Sequence, residues 1–156
     1  MHVKSVPVDA AMRALLPQAR MSDAYRLVVN DGTLDATTAA YRIFGCIPWW
    51  VRALMALRNH LVAHLGLKTG IDKEVRRIGF FPVISETPER VLLGLDDKHL
   101  DFRIAVDVVP LAGAQRQVTT TTMVRTHNLL GRIYLVIVLP FHRVIVPAML
   151  TQAAQT

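Results

Sequence analysis

The last part of the chain is one long apolar segment, from Asn128 to about Leu150, with the character of a helix. Apolar residues fall on almost every side of it, so protein or lipid must cover it. Pro140 and Pro147 lie within it, and each removes one helical hydrogen bond, so we expect kinks. What covers this helix decides which class of function the chain can have.

The segment is too interrupted to be predicted as a transmembrane helix. Its longest apolar run is Ile133 to Phe141, nine residues, with Arg132 before it and His142-Arg143 after it. A bilayer span needs about 20 apolar residues. We therefore predict no transmembrane span, while the formal net charge of +6 is compatible with peripheral contact to an anionic membrane.

The composition predicts a single domain with a large core. The 156 residues suit one domain, 1–156, which we divide into an N-terminal extension, 1–20, and a core, 21–150. Hydrophobic residues make up 52% and charged residues 19%, an apolar surplus that a core, a lined cavity, a partner or a membrane must absorb. Basic residues are scattered and lack interleaved aromatic residues, so we predict no nucleic-acid partner.

Cysteine usage and the N-terminus indicate a cytoplasmic protein. Cys46 is the only cysteine, which excludes an internal disulfide and suits a reducing compartment. We expect Cys46 to be a small buried apolar residue. The N-terminus has no recognisable signal peptide, so the expected location is the cytoplasm.

Four strands before the long helix alternate in a way that predicts one buried sheet face. A tight turn at Asp97-Lys98 sets Leu93 opposite Phe102, and matching the apolar faces sets Ile104 opposite Val124. The buried face then consists of Phe80, Ile84, Val91, Leu93, Leu95, Leu100, Phe102, Ile104, Val106, Val124, Thr120, Thr122 and Thr126. A slip of one residue would bury arginines instead, which favours this register.

The order of elements resembles a known architecture. A strand at about 24–30, helices at about 35–45 and 48–66, four strands and a long helix resemble the helix-grip fold of the birch-pollen-allergen-like superfamily. That superfamily includes START-type lipid-transfer proteins and polyketide cyclases. The resemblance implies an α+β fold, in which a curved antiparallel sheet wraps around the long C-terminal helix and two shorter helices follow the first strand.

Four segments are similar to a narrower bacterial family of unknown function, the 2867 family, which is grouped with that superfamily. They are Phe80–Val83, Gly94–Arg103, Val124–Asn128 and Pro140–Arg143, and the resemblance covers roughly residues 20–150. The family has no assigned activity, so the resemblance supports the fold and implies no chemistry. Some relatives are fused to a dehydrogenase-like nucleotide-binding domain, whereas this chain has no GxGxxG motif.

The predicted ligand site lies between the sheet and the C-terminal helix, where helix-grip proteins have their cavity. Its predicted ligand is a small apolar or amphipathic molecule, with no cofactor. The residues expected to line it are Phe80, Leu93, Phe102, Ile104, Val124, Tyr134 and Phe141, with Thr122 and Thr126 as internal polar contacts.

A second group of polar residues is predicted on the opposite, solvent-facing side of the sheet. In the predicted register Asp101 faces His127 and lies diagonal to Arg125, while Arg103 faces Arg125. Such a ladder could hold an anion through bidentate guanidinium contacts. The alternative is a cross-strand network of ion pairs on a solvated face.

No catalytic or metal site is predicted from motifs. His60 and His64 have a helical spacing that can hold a metal, but the HExxH pattern and further ligands are missing from the sequence. Three functions stay open: a hydrophobic-ligand binder, a cyclase- or aromatase-like enzyme using Arg103, Arg125 or His127, and a ligand-free module that packs on a dehydrogenase-like partner. The oligomeric state cannot be inferred from the sequence.

Overall fold

The computed structural model describes residues 2–64 and 75–155, which form seven strands and four helices. The strands are β1 (Lys4–Val6), β2 (Met21–Val29), β3 (Arg77–Ile78), β4 (Phe81–Glu86), β5 (Arg90–Asp96), β6 (Leu100–Pro110) and β7 (Arg116–Thr126). The helices are α1 (Ala10–Arg13), α2 (Ala36–Phe44), α3 (Trp49–His64) and α4 (Leu129–Leu150). A short 3-10 turn, Thr151–Ala154, follows α4.

All described strands belong to one curved antiparallel sheet in the order β1-β2-β7-β6-β5-β4-β3. The helices α2 and α3 follow β2, and α4 packs on the same face of the sheet as α2. This confirms the predicted α+β class and its helix-grip-like architecture, with a long C-terminal helix held by a curved sheet.

The pairing of strands β5, β6 and β7 differs from the predicted register by two residues. Leu93 pairs with Ile104 instead of Phe102, and Phe102 pairs with Val124. The cause is the position of the turn: the Asp97 N–H donates to the Leu100 carbonyl, so the two central residues are Lys98 and His99 instead of Asp97 and Lys98. Because side chains alternate with a period of two, this shift leaves every residue on its predicted face.

The side chains of strand β4 lie on the opposite faces of the sheet from those predicted. Phe81 and Val83 pack against the core, while Phe80 and Ile84 are exposed. Gly79 precedes this strand with a φ of +61°, and a side chain there would overlap the Phe44 carbonyl. A register shift between Val83 and Ser85 then changes the alternation, which the sequence pattern did not reveal.

The main core lies between the inner face of the sheet and the helices α2 and α4. Its fully buried sheet residues come from the middle and one end of the strands: Leu27, Val29, Val91, Leu93, Val106, Val108 and Val118. The helix α2 closes this end with Ala36, Ala39, Ala40 and Ile43, and the end of α4 adds Met149 and Leu150. Asp35 caps α2 by accepting a hydrogen bond from the Thr38 N–H at 2.7 Å.

The outer face of the sheet was predicted to be solvent-facing, but the N-terminal segment covers part of it. Met12 of α1 packs with Leu92 and Ala105 of the outer face, and Val8 borders this cluster. The segment assigned above to an extension also supplies the edge strand β1. Burying two apolar outer-face positions explains why Leu92 and Ala105 interrupt the polar alternation there.

Among the described residues, the long helix α4 contacts the rest of the protein along one side only. Asn128 caps it by accepting a hydrogen bond from the Gly131 N–H at 2.9 Å. We call the side that meets the protein the α4 seam; its buried or half-buried members recur at steps of three and four residues. They are Gly131, Leu135, Val138, His142, Ile145 and Met149.

The opposite side of α4 is apolar and exposed, in contrast to the prediction of a helix covered on all sides. We call it the α4 stripe: Leu129, Ile133, Val136, Ile137, Phe141 and Val144, which are 47–71% exposed. The sheet curves around one side of the helix and cannot reach the other. By length and composition the 26 residues Leu129–Ala154 could also cross a membrane. Within them, 17% of the 18-residue stretch that is apolar enough to do so is buried in the protein.

Candidate functional site

The inner face of the sheet is closed at one end and open at the other. Residues that pair across neighbouring strands form rows on this face. Leu93 belongs to a row in the middle of the sheet and is fully buried. In the next row Leu95 pairs with Phe102; Leu95 is 48% exposed and Phe102 is half-buried. The last row, Leu100 and Thr126, is half-buried as well. We call Leu95, Leu100, Phe102 and Thr126 the open end.

Aromatic rings border the open end on the side of β4. The rings of Phe81 and Phe102 meet edge to face with centroids 5.9 Å apart, and Phe81 makes a similar contact with Phe44 at 5.3 Å. Edge-to-face pairs of this kind give a rigid apolar wall. The open end is therefore a preformed apolar surface with one threonine hydroxyl, a combination that suits the apolar part of an amphipathic molecule.

The predicted lining residues divide into three groups in the structure. Leu93, Ile104, Thr122 and Val124 lie on the inner face as predicted and are buried. Phe102, Thr126 and Tyr134 are half-buried. The remaining two, Phe80 and Phe141, are exposed.

The two exposed aromatic residues are corrections to the predicted lining. Phe80 lies in the turn before β4, one residue away from the inward position that Phe81 occupies. Phe141 belongs to the α4 stripe because, at 100° per residue, it falls away from the α4 seam. The sequence could not show which side of a nearly all-apolar helix meets the sheet.

Two surface concavities among the described residues do not include the residues of the open end. One of about 520 Å³ is lined by residues of β1, β2 and β7 that include Lys4, Arg26 and Gln117. The other, of about 340 Å³, lies between the end of α2 and Phe80 and is bordered by Cys46. Cys46 is exposed there, so the prediction that it is buried was wrong.

A polar cluster missed by the sequence reasoning joins α4 to β2. The His142 Nε2 atom lies 3.2 Å and 3.1 Å from the two carboxylate oxygens of Asp23, and both side chains are largely shielded from solvent. Tyr25 is next on the same face of β2. Burial raises the pKa of Tyr25, and the nearby Asp23 carboxylate raises it further, against the opposing charge of Arg143.

A polar residue on an inner-face position was the signal that could have revealed this cluster. Asp23 alternates with Tyr25 and Leu27 on β2, so it occupies a position that the pattern assigns to the core. A charged residue at such a position requires a partner. His142, at the center of the apolar helix α4, is that partner, and the pair fixes the helix on the sheet.

A buried hydroxyl lies next to this cluster. The Oγ1 atom of Thr120, on the inner face and paired with Tyr25, is buried and has no hydrogen-bond partner among the described residues. An unpaired buried hydroxyl is uncommon, and water or a ligand often satisfies it. The sequence predicted that Thr120 points inward, but not that it lacks a partner.

The second predicted group, on the outer face, is centered on Asp101. Its side chain is 5% exposed and accepts from both neighbours: Arg125 Nη2 lies 2.7 Å from Oδ2, and His127 Nε2 lies 2.9 Å from Oδ1. Arg125 also donates to the Pro17 carbonyl at 3.3 Å. Burial opposes the ionisation of Asp101, but the hydrogen bonds from His127 and Arg125 outweigh it and hold its pKa below the ordinary value.

Arg103 does not join this group. It faces Met123 on β7 and pairs with Asp96 at 2.8 Å, so the predicted ladder of two facing arginines does not form. The reason is the two-residue shift in register, which places Arg125 opposite Asp101. Each arginine is thus paired with a carboxylate of the protein itself, an arrangement typical of a structural network.

No group of three or more His, Cys, Asp or Glu side chains with metal-binding geometry occurs within residues 2–64 and 75–155. The His60 and His64 pair considered above falls partly outside the described side chains, because that of His64 is not among them.

Comparisons with known proteins identify a family but no activity. A conserved protein from Geobacillus kaustophilus is similar in structure, with a TM-score of 0.46 and 10% sequence identity over 86% of this chain and 93% of that one. No curated protein matches the chain. The family model described as "Protein of unknown function (DUF2867)" matches residues 15–149. This chain therefore belongs to the DUF2867 family.

Proposed function

We propose that this domain binds a small apolar or amphipathic molecule, such as a single lipid-like compound, at the open end of its inner face. The observation that supports this most strongly is the difference along one sheet face. Leu93 is fully buried, whereas its neighbour two residues on, Leu95, is about half exposed. A side chain that continues the core face without being covered leaves room for a ligand to complete the core.

The polar groups on the same face suit an amphipathic rather than a purely apolar ligand. Thr126 lies at the open end, and the Oγ1 atom of Thr120 is unpaired further inside among the described residues. The Asp23–His142 pair lies on the same side, between β2 and α4. Grouping with the START-like helix-grip superfamily, whose members bind such molecules, is part of this proposal.

The alternative of a cyclase-like enzyme gains no support from the residues predicted for it. Arg103, Arg125 and His127 lie on the outer face, and Asp96 and Asp101 already pair with them. A free anion would have to displace these carboxylates. A site of general acid–base chemistry on the outer face is therefore disfavoured.

Binding is tested with a fluorescent fatty-acid analogue whose emission increases in an apolar site. The wild-type protein should bind it saturably, and Leu95→Asp should weaken binding at least about tenfold, because one charge replaces a buried contact of at least about 1.4 kcal/mol. Val109→Asp is the matched control, since Val109 is 47% exposed but lies on the outer face at the other end of the sheet.

Two results would contradict the proposal. One is the absence of saturable binding to the wild-type protein. The other is equal loss in Leu95→Asp and Val109→Asp, which would indicate a general effect of added charge. Extraction of the purified protein with organic solvent, followed by mass spectrometry, then identifies any compound that copurifies in stoichiometric amount.

A further inference from the structure

We infer that the α4 stripe is a docking surface for an anionic membrane, on which the domain lies peripherally. This goes beyond ligand binding at the open end and rests on different residues. The stripe comprises six large apolar side chains that are 47–71% exposed on consecutive turns of one helix. A contiguous exposed surface of this kind marks an interaction site.

The geometry of the helix places the two faces on different sides. At 100° per residue, the α4 seam clusters on one side and the α4 stripe is centred nearly opposite, with Phe141 at its edge nearest the seam. From Leu129 to Val144 the stripe runs for about 22 Å along the helix. The protein body therefore occupies the position of the polar face in an interfacial amphipathic helix, and the apolar face points outward.

The charges around the stripe fit an anionic surface. Arg132 and Arg143 are both exposed and lie on the same flank of the stripe, about 16 Å apart along the axis. No Asp or Glu occurs between residues 128 and 156, and the whole chain has a formal net charge of +6. When the stripe enters the boundary between headgroups and acyl chains, both arginines can reach lipid phosphates.

The same charges disfavour a second copy of the chain as the occupant. Two stripes packed in antiparallel fashion about a twofold axis would bring Arg132 of one copy towards Arg143 of the other. No acidic residue of α4 is available to compensate these charges. Like charges placed in this way cost binding energy.

A helix that spans the bilayer is disfavoured by the α4 seam. His142 lies in the middle of α4 and is paired with Asp23 of β2, so insertion would have to break this pair and carry His142 and Arg143 into the hydrocarbon. Polar and charged residues at the bilayer center are costly. Lying on the surface keeps the seam on the sheet and places only the stripe in lipid.

The experiment is cosedimentation of the full chain with vesicles of phosphatidylcholine, with or without phosphatidylserine. We expect binding to the vesicles that contain phosphatidylserine. Combining Val136→Glu with Ile137→Glu should reduce this binding about a hundredfold, because two apolar side chains no longer enter the lipid. Arg132→Gln and Arg143→Gln should each reduce it about fivefold.

Control variants separate this effect from misfolding and from ligand binding. Val28→Glu combined with Val109→Glu adds the same charge at exposed apolar positions of the outer sheet face. Apart from the electrostatic effect of the two negative charges, this control should bind vesicles within about twofold of the wild-type chain. Leu95→Asp should also bind vesicles as the wild-type chain does, so that failure of the ligand site and failure of the membrane surface remain distinguishable. Circular dichroism confirms that each variant is folded.

Several outcomes would overturn the inference. One is that the wild-type chain does not bind phosphatidylserine vesicles. Another is that Val136→Glu/Ile137→Glu binds them as well as the control variant does. A dimer in light scattering that dissociates with the same double substitution would assign the stripe to a second copy. Resistance of the bound protein to extraction at alkaline pH would assign α4 to a membrane span.

Discussion

Asp101 shows how a residue that resembles part of a binding site can instead stabilise the fold. The Arg125 guanidinium donates to one of its carboxylate oxygens through Nε and Nη2, and His127 Nε2 contacts the other. The side chain is almost inaccessible to solvent. Arg125 extends the network to the Pro17 carbonyl, which ties the N-terminal segment to β7. The sequence could predict that these residues lie on one face, whereas their pairing with each other depended on the strand register.

Asp101→Asn should destabilise the protein by about 1–3 kcal/mol near neutral pH, because Arg125 and His127 lose a charged acceptor. The folded-state pKa of Asp101 is lowered, so its stabilising contribution is present above the ordinary carboxyl pKa. That contribution is lost as the pH falls through the folded-state pKa. The difference between wild type and variant should therefore shrink in acid.

Urea unfolding of both proteins, at neutral pH and in acid, measures this difference. Asp96→Asn serves as the control, since Asp96 is exposed and its pair with Arg103 should contribute at most about 1 kcal/mol. A loss in Asp101→Asn that is the same at both pH values would show that the carboxylate charge is not what stabilises the network.

At the scale of elements, the sequence predicts faces more reliably than partners. The predicted pairings of β5 with β6 and of β6 with β7 were both displaced by two residues, yet Ile104, Thr122 and Val124 still face inward. Alternation determines the face, and turn geometry determines the partner. Where a register shift interrupts the alternation, as in β4, even the face was predicted wrongly for Phe80 and Ile84.

The position of α4 depends on one glycine at its first turn. A side chain on Gly131 would overlap the His99 carbonyl, because the helix begins against the turn between β5 and β6. We expect Gly131→Ala to cost about 1–3 kcal/mol, the usual range for overpacking, despite the higher helix propensity of alanine.

Thermal unfolding of Gly131→Ala tests this contact, with Arg132→Ala as its control at the adjacent exposed position. The prediction is a clear loss of stability for the first variant and little change for the second. An increase in the stability of Gly131→Ala would mean that the start of α4 does not lie against the His99 carbonyl.

The inner face predicts two different responses to truncation. Leu93→Ala should cost about 2–5 kcal/mol because Leu93 is fully buried in the core. Phe102→Ala should cost less than the roughly 3–5 kcal/mol typical of a packed phenylalanine, because Phe102 borders the open end and is only half-buried. Chemical unfolding of the ligand-free protein compares the two.

When ligand is added, the loss of unfolding free energy relative to the wild type should become larger for Phe102→Ala but not for Leu93→Ala. A ligand that binds only the folded state stabilises it, and the Phe102 variant would bind more weakly. If the ligand-free Phe102 variant loses as much stability as a fully packed phenylalanine, the end of the inner face is closed in solution.

At the scale of the whole molecule, the sequence predicted the architecture but not how α4 is oriented. The order of elements and the apolar sheet face were sufficient for the α+β fold with a helix held by a sheet. The helix has apolar residues on all sides, so periodicity could not distinguish the α4 seam from the α4 stripe. Among the described residues, His142, through its pair with Asp23, and Gly131, against the His99 carbonyl, mark the side that meets the protein.

The N-terminal segment was a second feature that depended on tertiary contacts. Its strand of three residues and its helix of four residues are too short to give a recognisable periodicity. Both are stabilised by the sheet they cover, through pairing of β1 with β2 and packing of Met12 on Leu92. Local sequence patterns could not predict these contacts.

The most direct measurement compares thiol accessibility on the two sides of α4, because both functional proposals require the sheet to hold this helix by one side only. In a Cys46→Ser background, single cysteines replace the adjacent residues Leu135, which is 8% exposed, and Val136, which is 71% exposed. We expect a maleimide reagent to label position 136 rapidly and position 135 only after unfolding. Equal labelling of both positions in the folded protein would show that the sheet does not hold α4 along its seam.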